Sequence, residues 1–208
     1  MNFAMMIKVL MMVLGVILSL ASPLEALAER QLTGKEVYAL DKSHTNIMWF
    51  ASHLGFSTSM GQFMDYDGRI VLDHDSPDQS LVTITLKTAS IMTGQDKFDT
   101  HLKSADFFNV EKYPTATFTS TKVTLLGDNR ATVEGTFTLL GVTKPLTLKI
   151  RLNKRAMDLP TNVMRTGFSI RTTIKRSLWG MKHYLPFVGD DVRIRIEAEA
   201  LIVQGKTG

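Results

Sequence analysis

The sequence predicts an all-β fold, an eight-stranded antiparallel barrel with one short helix, and three observations carry that prediction. Apolar and polar residues alternate at period two through most of the chain, which is the pattern of strands dry on one face and wet on the other. Short joins rich in Gly, Asn, Asp and Pro separate these runs, so neighbouring strands should pair as hairpins. Closure into a barrel removes the exposed edges that so many half-wet strands would otherwise present. Composition agrees: of 208 residues, 44% are hydrophobic and 21% charged, a globular balance that excludes a disordered chain and a multi-span membrane protein. Cysteine is absent, so packing and strand pairing must hold the fold without disulfides.

Residues 1–28 stand apart from this pattern. Lys8 precedes an uncharged apolar run over 9–21, Pro23 interrupts it, and Ala26-Leu27-Ala28 places small residues at alternate positions. That is a secretory signal peptide with cleavage after Ala28; its 13-residue run is short of the ~20 residues that span a bilayer. Residues 29–208 read as one domain. Lys8 and Glu25 cancel, so the remaining chain keeps the net charge of +4.

Within that domain the periodicity predicts strands near 44–54, 60–72, 80–89, 115–126, 130–139, 145–153, 163–174 and 190–203. Trp49 lies in the first, whose parity the alternation leaves open. The second turns Met60, Met64, Tyr66 and Ile70 to one face, opposite Asp65, Asp67 and Arg69. Val82, Ile84 and Leu86 oppose Thr83, Thr85 and Lys87 in the third strand. Phe118 and Phe137 are large aromatic elements of the fourth and fifth, and Leu148 alternates with Thr147 and Lys149 in the sixth. Met164, Phe168, Ile170 and Ile174 oppose Arg165, Ser169 and Arg171 in the seventh. In the last, Val192, Ile194 and Ile196 oppose Arg193, Arg195 and Glu197. These inward sets are the candidate lining of an interior. Thirteen residues over 60–72 at ~3.3 Å each make a strand of about 43 Å, which tilted by roughly 40° gives a wall on the order of 33 Å tall. An interior of that shape suits a chain-like guest.

Two stretches break the alternation. Asp96 is the expected N-cap of a helix over 96–108, with Phe98, Leu102 and Ala105 at helical spacing. Residues 176–189, with Trp179, Tyr184 and Phe187, are expected to form a loop over one mouth. Gly55, Gly61 and Gly68 mark a turn and close approaches within strands.

Chemistry-bearing patterns are sparse. His44 and His53 lie nine apart, on opposite faces of a regular strand. The chain has neither H-E-x-x-H nor a 2-His-1-carboxylate spacing, and His101 and His183 read as ordinary hydrogen-bonding residues. His74, between Asp73 and Asp75, reads as a solvated turn residue. With no G-x-S-x-G elbow, no cysteine and no phosphate-binding glycine loop, the expectation is no catalytic residue, no metal and no cofactor. Lys and Arg alternate with apolar residues instead of clustering, which argues against nucleic acid as a partner, while a mildly basic exterior allows transient contact with anionic membrane surfaces. Seven methionines outside the first 28 residues suit core filling and a soft lipid-facing wall equally well.

Four segments in order resemble the YceI-like family of bacterial lipid-binding barrels. They are Tyr38-Ala39-Leu40-Asp41-Lys42-Ser43-His44-Thr45 continuing through Trp49-Phe50-Ala51-Ser52-His53-Leu54-Gly55, the stretch from Phe98-Asp99-Thr100-His101-Leu102 to Asp106-Phe107-Phe108, Lys112-Tyr113-Pro114-Thr115-Ala116-Thr117-Phe118, and Gly135-Thr136-Phe137 through Gly141-Val142-Thr143-Lys144-Pro145. The resemblance spans roughly residues 37–202. It implies an elongated lipocalin-like barrel, exported to the periplasm, that holds a polyisoprenoid or similar long-chain amphiphile and is not an enzyme. One departure matters: where the family has an Arg-Asp pair before the His-Leu of its helix, this chain has Phe98-Asp99. Two other readings stand beside it. One is a ligand-free interaction module supporting a membrane redox or stress-response partner; the other is an enzyme built on Asp41, His44 and His53 near one mouth.

Overall fold

The computed structural model describes residues 34–203. The expected signal segment 1–28, its expected cleavage point after Ala28 and the expected domain's ends, 29–33 and 204–208, lie outside the described residues. The elements in order are β1 (Lys35–Leu40), β2 (Asn46–His53), β3 (Ser57–Phe63), β4 (Tyr66–Asp73), β5 (Leu81–Lys87), β6 (Ile91–Met92), α1 (Asp96–Lys103), β7 (Thr115–Gly127), β8 (Arg130–Leu139), β9 (Val142–Asp158), β10 (Val163–Lys175) and β11 (Val188–Ile202). Antiparallel pairing runs β1-β4-β5-β7-β8-β9-β10-β11 and returns to β1, where Tyr38 faces Ile202. The result is the expected closed eight-stranded barrel with one short helix.

The first hairpin departs from expectation. The anticipated strand over 60–72 is two strands, β3 and β4, meeting in a bend at Met64 and Asp65. There Met64 N–H donates to the Ser90 carbonyl (3.1 Å) and the Asp65 carbonyl accepts from Lys87 N–H (2.9 Å). Two residues stand where a regular strand would place one between Phe63 and the next inward side chain, so parity inverts. Phe63 is buried in β3, whereas Tyr66 and Ile70 are buried in β4. Met60 and Met64, expected inside, therefore point outward and are 58% and 54% exposed. The height estimate survives on other strands, since β7 and β10 each run 13 residues.

The partner half of that hairpin bends as well, between β1 and β2. Along β11, residues 200–202 pair with β1 and residues 188–197 with β2. β1 was not anticipated; six residues with a single fully buried side chain, Tyr38, give little periodic signal. Side chains tie this bend to both neighbours. Tyr66 OH donates to the Thr45 carbonyl, Asp41 N–H donates to the Glu199 carbonyl (2.8 Å), and Arg165 pairs at once with Asp41 (2.6 Å), Glu199 (2.6 Å) and Asp158 (2.9 Å). Burial alone would raise the Asp41 pKa, but hydrogen bonds from His44, Arg165 and the Ser43 N–H outweigh it and hold the carboxyl at about 2.

Past the bend, β3 pairs with β2 and β6 and not with β5. The wall opens there, and α1 packs into the opening. Gln95, not Asp96, occupies the N-cap position, and the helix ends at Lys103 instead of 108. Asp99 accepts from Thr93 N–H (2.8 Å) and Oγ1 (2.6 Å), fastening the helix to the segment that enters it. Ala105 falls beyond the helix and is exposed, and Phe107 is buried in its stead.

The opposite end is plugged. Tyr38, Ile70 and Ala200 form a small apolar cluster with Leu72, Met164 and Phe168 around it. Beside it Arg155 Nε donates to Glu36 (3.1 Å) and to Tyr38 OH (3.0 Å), and His74, expected in solvent, hydrogen-bonds Glu36 at 2.9 Å. Burial pushes the Tyr38 hydroxyl up to about 12, so it stays a donor at any physiological pH.

Because Asp41 is held at about 2 when folded and lies near ~3.9 in the unfolded chain, its contribution is complete above pH ~4 and is lost as pH falls toward 2. Urea unfolding of Asp41→Asn should show a loss of about 2 kcal/mol at neutral pH and a shallower decline than wild type between pH 4 and 2. An equally steep decline would place the acid sensitivity elsewhere. Tyr66→Phe, leaving the buried Thr45 carbonyl without its donor, should cost about 1 kcal/mol in the same assay.

Candidate functional site

Above the plug, a cavity of about 420 Å³ lies between the barrel wall, α1 and the late loop, within the range of roughly 300–1,000 Å³ typical of small-molecule sites. Its wall is apolar. β2 contributes Ile47, Trp49 and Ala51, β3 Phe63, β5 Leu86, β7 Ala116, β8 Phe137 and Leu139, β10 Ile174, and β11 Val188, Val192 and Ile194. The cover has two parts. Phe98, Leu102, Phe107 and Phe108 come from α1 and the turn after it; Arg176, Met181 and Tyr184 come from the loop between β10 and β11.

Of the residues expected to line the interior, Trp49, Leu86, Phe137, Ile174, Val192 and Ile194 do so. Tyr66, Phe118 and Leu148 are buried in the surrounding core, with Ile84, Ile170 and Ile196 packed against it. Ile70, Met164 and Phe168 belong to the plug cluster. Met60 and Met64 are outside altogether. Wall residues not singled out, among them Ile47, Phe63 and Ala116, sit around the bend or at strand ends, where period-two reading loses its phase. Phe107 and Phe108 follow the helix without a repeating pattern to mark them.

Trp49 is fixed by its neighbours. Its ring meets Phe98 edge-on at 6.3 Å and lies over Gly61, where an added Cβ would fall 2.8 Å from the indole. Gly61 is thus the close approach the sequence suggested. The indole Nε1 is buried without a hydrogen-bond partner.

Polar groups gather on the cover and rim: His53, Ser59, Gln95, His101, Arg176 and Tyr184. Arg176 is the deepest. It is 3% exposed and donates to the carbonyls of Gly189 (2.9 Å), Met181 (3.0 Å) and Val188 (3.0 Å). Burial lowers its pKa, against the opposing charge of Asp190. Its hydrogen bonds shape the loop into a lid, which Trp179 pins by donating to the Phe137 carbonyl (3.1 Å) and packing on that ring at 5.7 Å. Tyr184 and His183 meet His101 and Phe107 of the other half, with His101 and Tyr184 centroids 5.9 Å apart and Phe107 and His183 5.5 Å apart.

The constellation of Asp41, His44 and His53 is not assembled. Asp41 and His44 pair at 2.8 Å in the Arg165 cluster, whereas His53 stands at the cavity rim at the far end of β2, roughly 26 Å along the strand. What the interior offers is a hydrocarbon-like volume with hydrogen-bonding groups confined to its cover.

Known proteins resemble this chain in sequence and in fold. The YceI-like domain model matches residues 38–200. A UPF0312 protein of Pseudomonas putida is 42% identical over 147 residues, covering 70% of this chain and 76% of its own length. The crystal structure of a Campylobacter jejuni YCEI protein superimposes with a TM-score of 0.66 at 32% identity, covering 72% of this chain and 88% of that one. A polyisoprenoid binding domain from Saccharophagus degradans, implicated in plant cell wall breakdown, has the same fold, with a TM-score of 0.64 at 14% identity over 80% of this chain and 98% of its own. The match of the domain model over most of the chain and the identity to these relatives show that this chain belongs to the YceI-like family.

Proposed function

We propose that the protein is an exported, periplasmic carrier that holds one polyisoprenoid or similar long-chain amphiphile in its barrel and exchanges it at a membrane surface. The observation that carries this reading is the cavity itself, apolar along its wall, stopped by the Glu36, Tyr38 and Arg155 plug at one end and covered by a two-part lid at the other. A polyisoprenoid binding domain of the same fold supports the ligand class, and the leader-like residues 1–28 support export.

Energetics favour a carrier over a sink. Each buried CH₂ gains about 0.8 kcal/mol relative to water, but little relative to a bilayer whose chains are equally apolar. Transfer between membrane and barrel is then nearly balanced, and the costly crossing of water is avoided. The rim is suited to such transfer. Phe56 at the tip of the β2–β3 hairpin is 89% exposed and Phe187 64%, with Leu54 and Tyr184 about half exposed beside them, and the Leu54 N–H donates to the Phe187 carbonyl (2.9 Å), joining the two segments. A patch of this kind beside an apolar opening matches the interfacial zone of a bilayer.

Native mass spectrometry of the purified protein should detect one long-chain lipid per chain, and the periplasmic form should begin at Glu29. Solvent extracts free of stoichiometric lipid from several expression hosts would overturn the carrier reading. Ile194→Trp and Ala116→Trp, which fill the cavity at a stability cost of about 1–3 kcal/mol, should lower lipid occupancy several-fold, whereas Met60→Glu should leave it unchanged. Phe56→Ser combined with Phe187→Ser should slow lipid transfer between vesicles about tenfold without changing occupancy; an unchanged rate would remove the rim from the exchange step.

A further inference from the structure

Where the two halves of the lid meet, three metal-ligating side chains converge. His101 stands near the C-terminal end of α1, Asp106 in the turn that follows it, and His183 in the late loop. His101 Nε2 lies 3.0 Å and His183 Nε2 3.8 Å from Asp106 Oδ2, and one ligand atom from each residue falls within 4.8 Å of the other two. Ligands on a tetrahedral zinc ion with bonds of ~2.0–2.1 Å lie about 3.3 Å apart, so side-chain shifts of an ångström or less would bring all three onto one ion. Each side chain is one-third to one-half exposed, which leaves a route in and a fourth position for water.

A second cluster, of two carboxylates and one histidine, shows why this one is distinctive. Asp41, His44 and Glu199 also lie within reach of one another, but there the Arg165 guanidinium already pairs with both carboxylates at 2.6 Å. Its charge occupies the place a cation would take. Among the described residues, Asp106 has no such partner: the side chains paired with it are the two imidazoles. With both rings neutral the trio carries one negative charge, and two nitrogens with one carboxylate oxygen suit a borderline divalent ion over calcium or magnesium. Aromatic contacts hold the rings in place, His101 edge-on to Phe107 at 5.1 Å and His183 against Tyr184 at 4.0 Å.

We infer that His101, Asp106 and His183 form a binding site for a divalent transition-metal ion of zinc type, which fastens α1 to the late loop across the opening of the cavity. The ion bridges segments that other bonds hold separately. Asn109 and Val110 N–H groups secure the turn after α1 to Ser104 and Lys103, and Arg176 secures the late loop to its own strands. The ion's slowing of lipid exchange rests on the carrier reading; the metal site does not.

The test uses the chain without its leader and without a histidine tag, stripped with a chelator and titrated with Zn²⁺ against a chromophoric competitor. One ion per chain should bind, with affinity lowered at least about tenfold in Asp106→Asn and in His183→Gln and unchanged in His44→Gln. Co²⁺ added to the wild-type protein should give the intense visible absorption of a four-coordinate site, a readout that depends on no variant folding. Absence of stoichiometric binding, binding insensitive to both variants, or loss in His44→Gln would overturn the site. Zn²⁺ should also slow release of a fluorescent long-chain lipid from wild type but not from His183→Gln. An unchanged release rate with the ion bound would overturn the latch and leave the site standing; failure of the protein to bind lipid at all would be read separately, since the titration needs none.

Discussion

The rest of the structure depends on the bend in the first hairpin, and on the side chains that pin it. At that point Arg165 meets three carboxylates and Tyr66 reaches back to the Thr45 carbonyl. A straight hairpin would pair with its neighbours along its full length and close the barrel at both ends. Bent, it closes the ring through β1 and β4 at one end, while β3 turns away from β5 at the other. The space released is where α1 and the cavity lie. An ion-pair cluster on the outside of the wall thereby determines that the inside is hollow.

Polar groups are distributed unequally along the barrel as a consequence. At the closed end Glu36, Tyr38, Arg155 and His74 satisfy one another in a compact network, and a charged pair of that kind is tolerable under burial because each lone pair finds a donor. At the open end the deeply buried charge of Arg176 is spread over three backbone carbonyls and organises the lid without turning a carboxylate toward the cavity. Between them the wall presents hydrocarbon. The Trp49 N–H is orphaned in it, and an unmet buried donor of this kind costs about 1–3 kcal/mol; the close fit of the ring over Gly61 and against Phe98 offsets part of that loss.

Most of the barrel was legible because its strands obey one rule. In β9, β10 and β11 the wet and dry faces alternate as read, and the family resemblance rested on segments that the structure places at the bend, the helix and the β8–β9 hairpin. The candidate site was less legible, for reasons specific to its residues. A single phase extended through 60–72 turns Met60 and Met64 inward, and the two-residue bend reverses that phase; hydrophobicity alone does not mark a bend whose cause is hydrogen bonds to Ser90 and Lys87. Phe107 and Phe108 escaped because the helix ends early. His101 and His183 were read separately as ordinary hydrogen-bonding residues, since 82 positions of sequence conceal that the lid brings them to one carboxylate.

A container for lipid faces a constraint that a container for a polar ligand does not. Apolar contacts discriminate weakly between a barrel and a bilayer, so affinity cannot by itself decide when the guest stays and when it leaves. Control must come from the opening. In this fold the wall strands are tied into one hydrogen-bonded ladder, whereas the cover is assembled from two segments outside it, α1 with its following turn and the loop after β10. These meet through aromatic edges and the His101, Asp106 and His183 trio, contacts weak enough to part on thermal fluctuation and specific enough to be strengthened by a bound ion. On the proposed carrier reading, retention of a guest would be a property of the junction between two irregular segments, with the barrel as the solvent in which it waits.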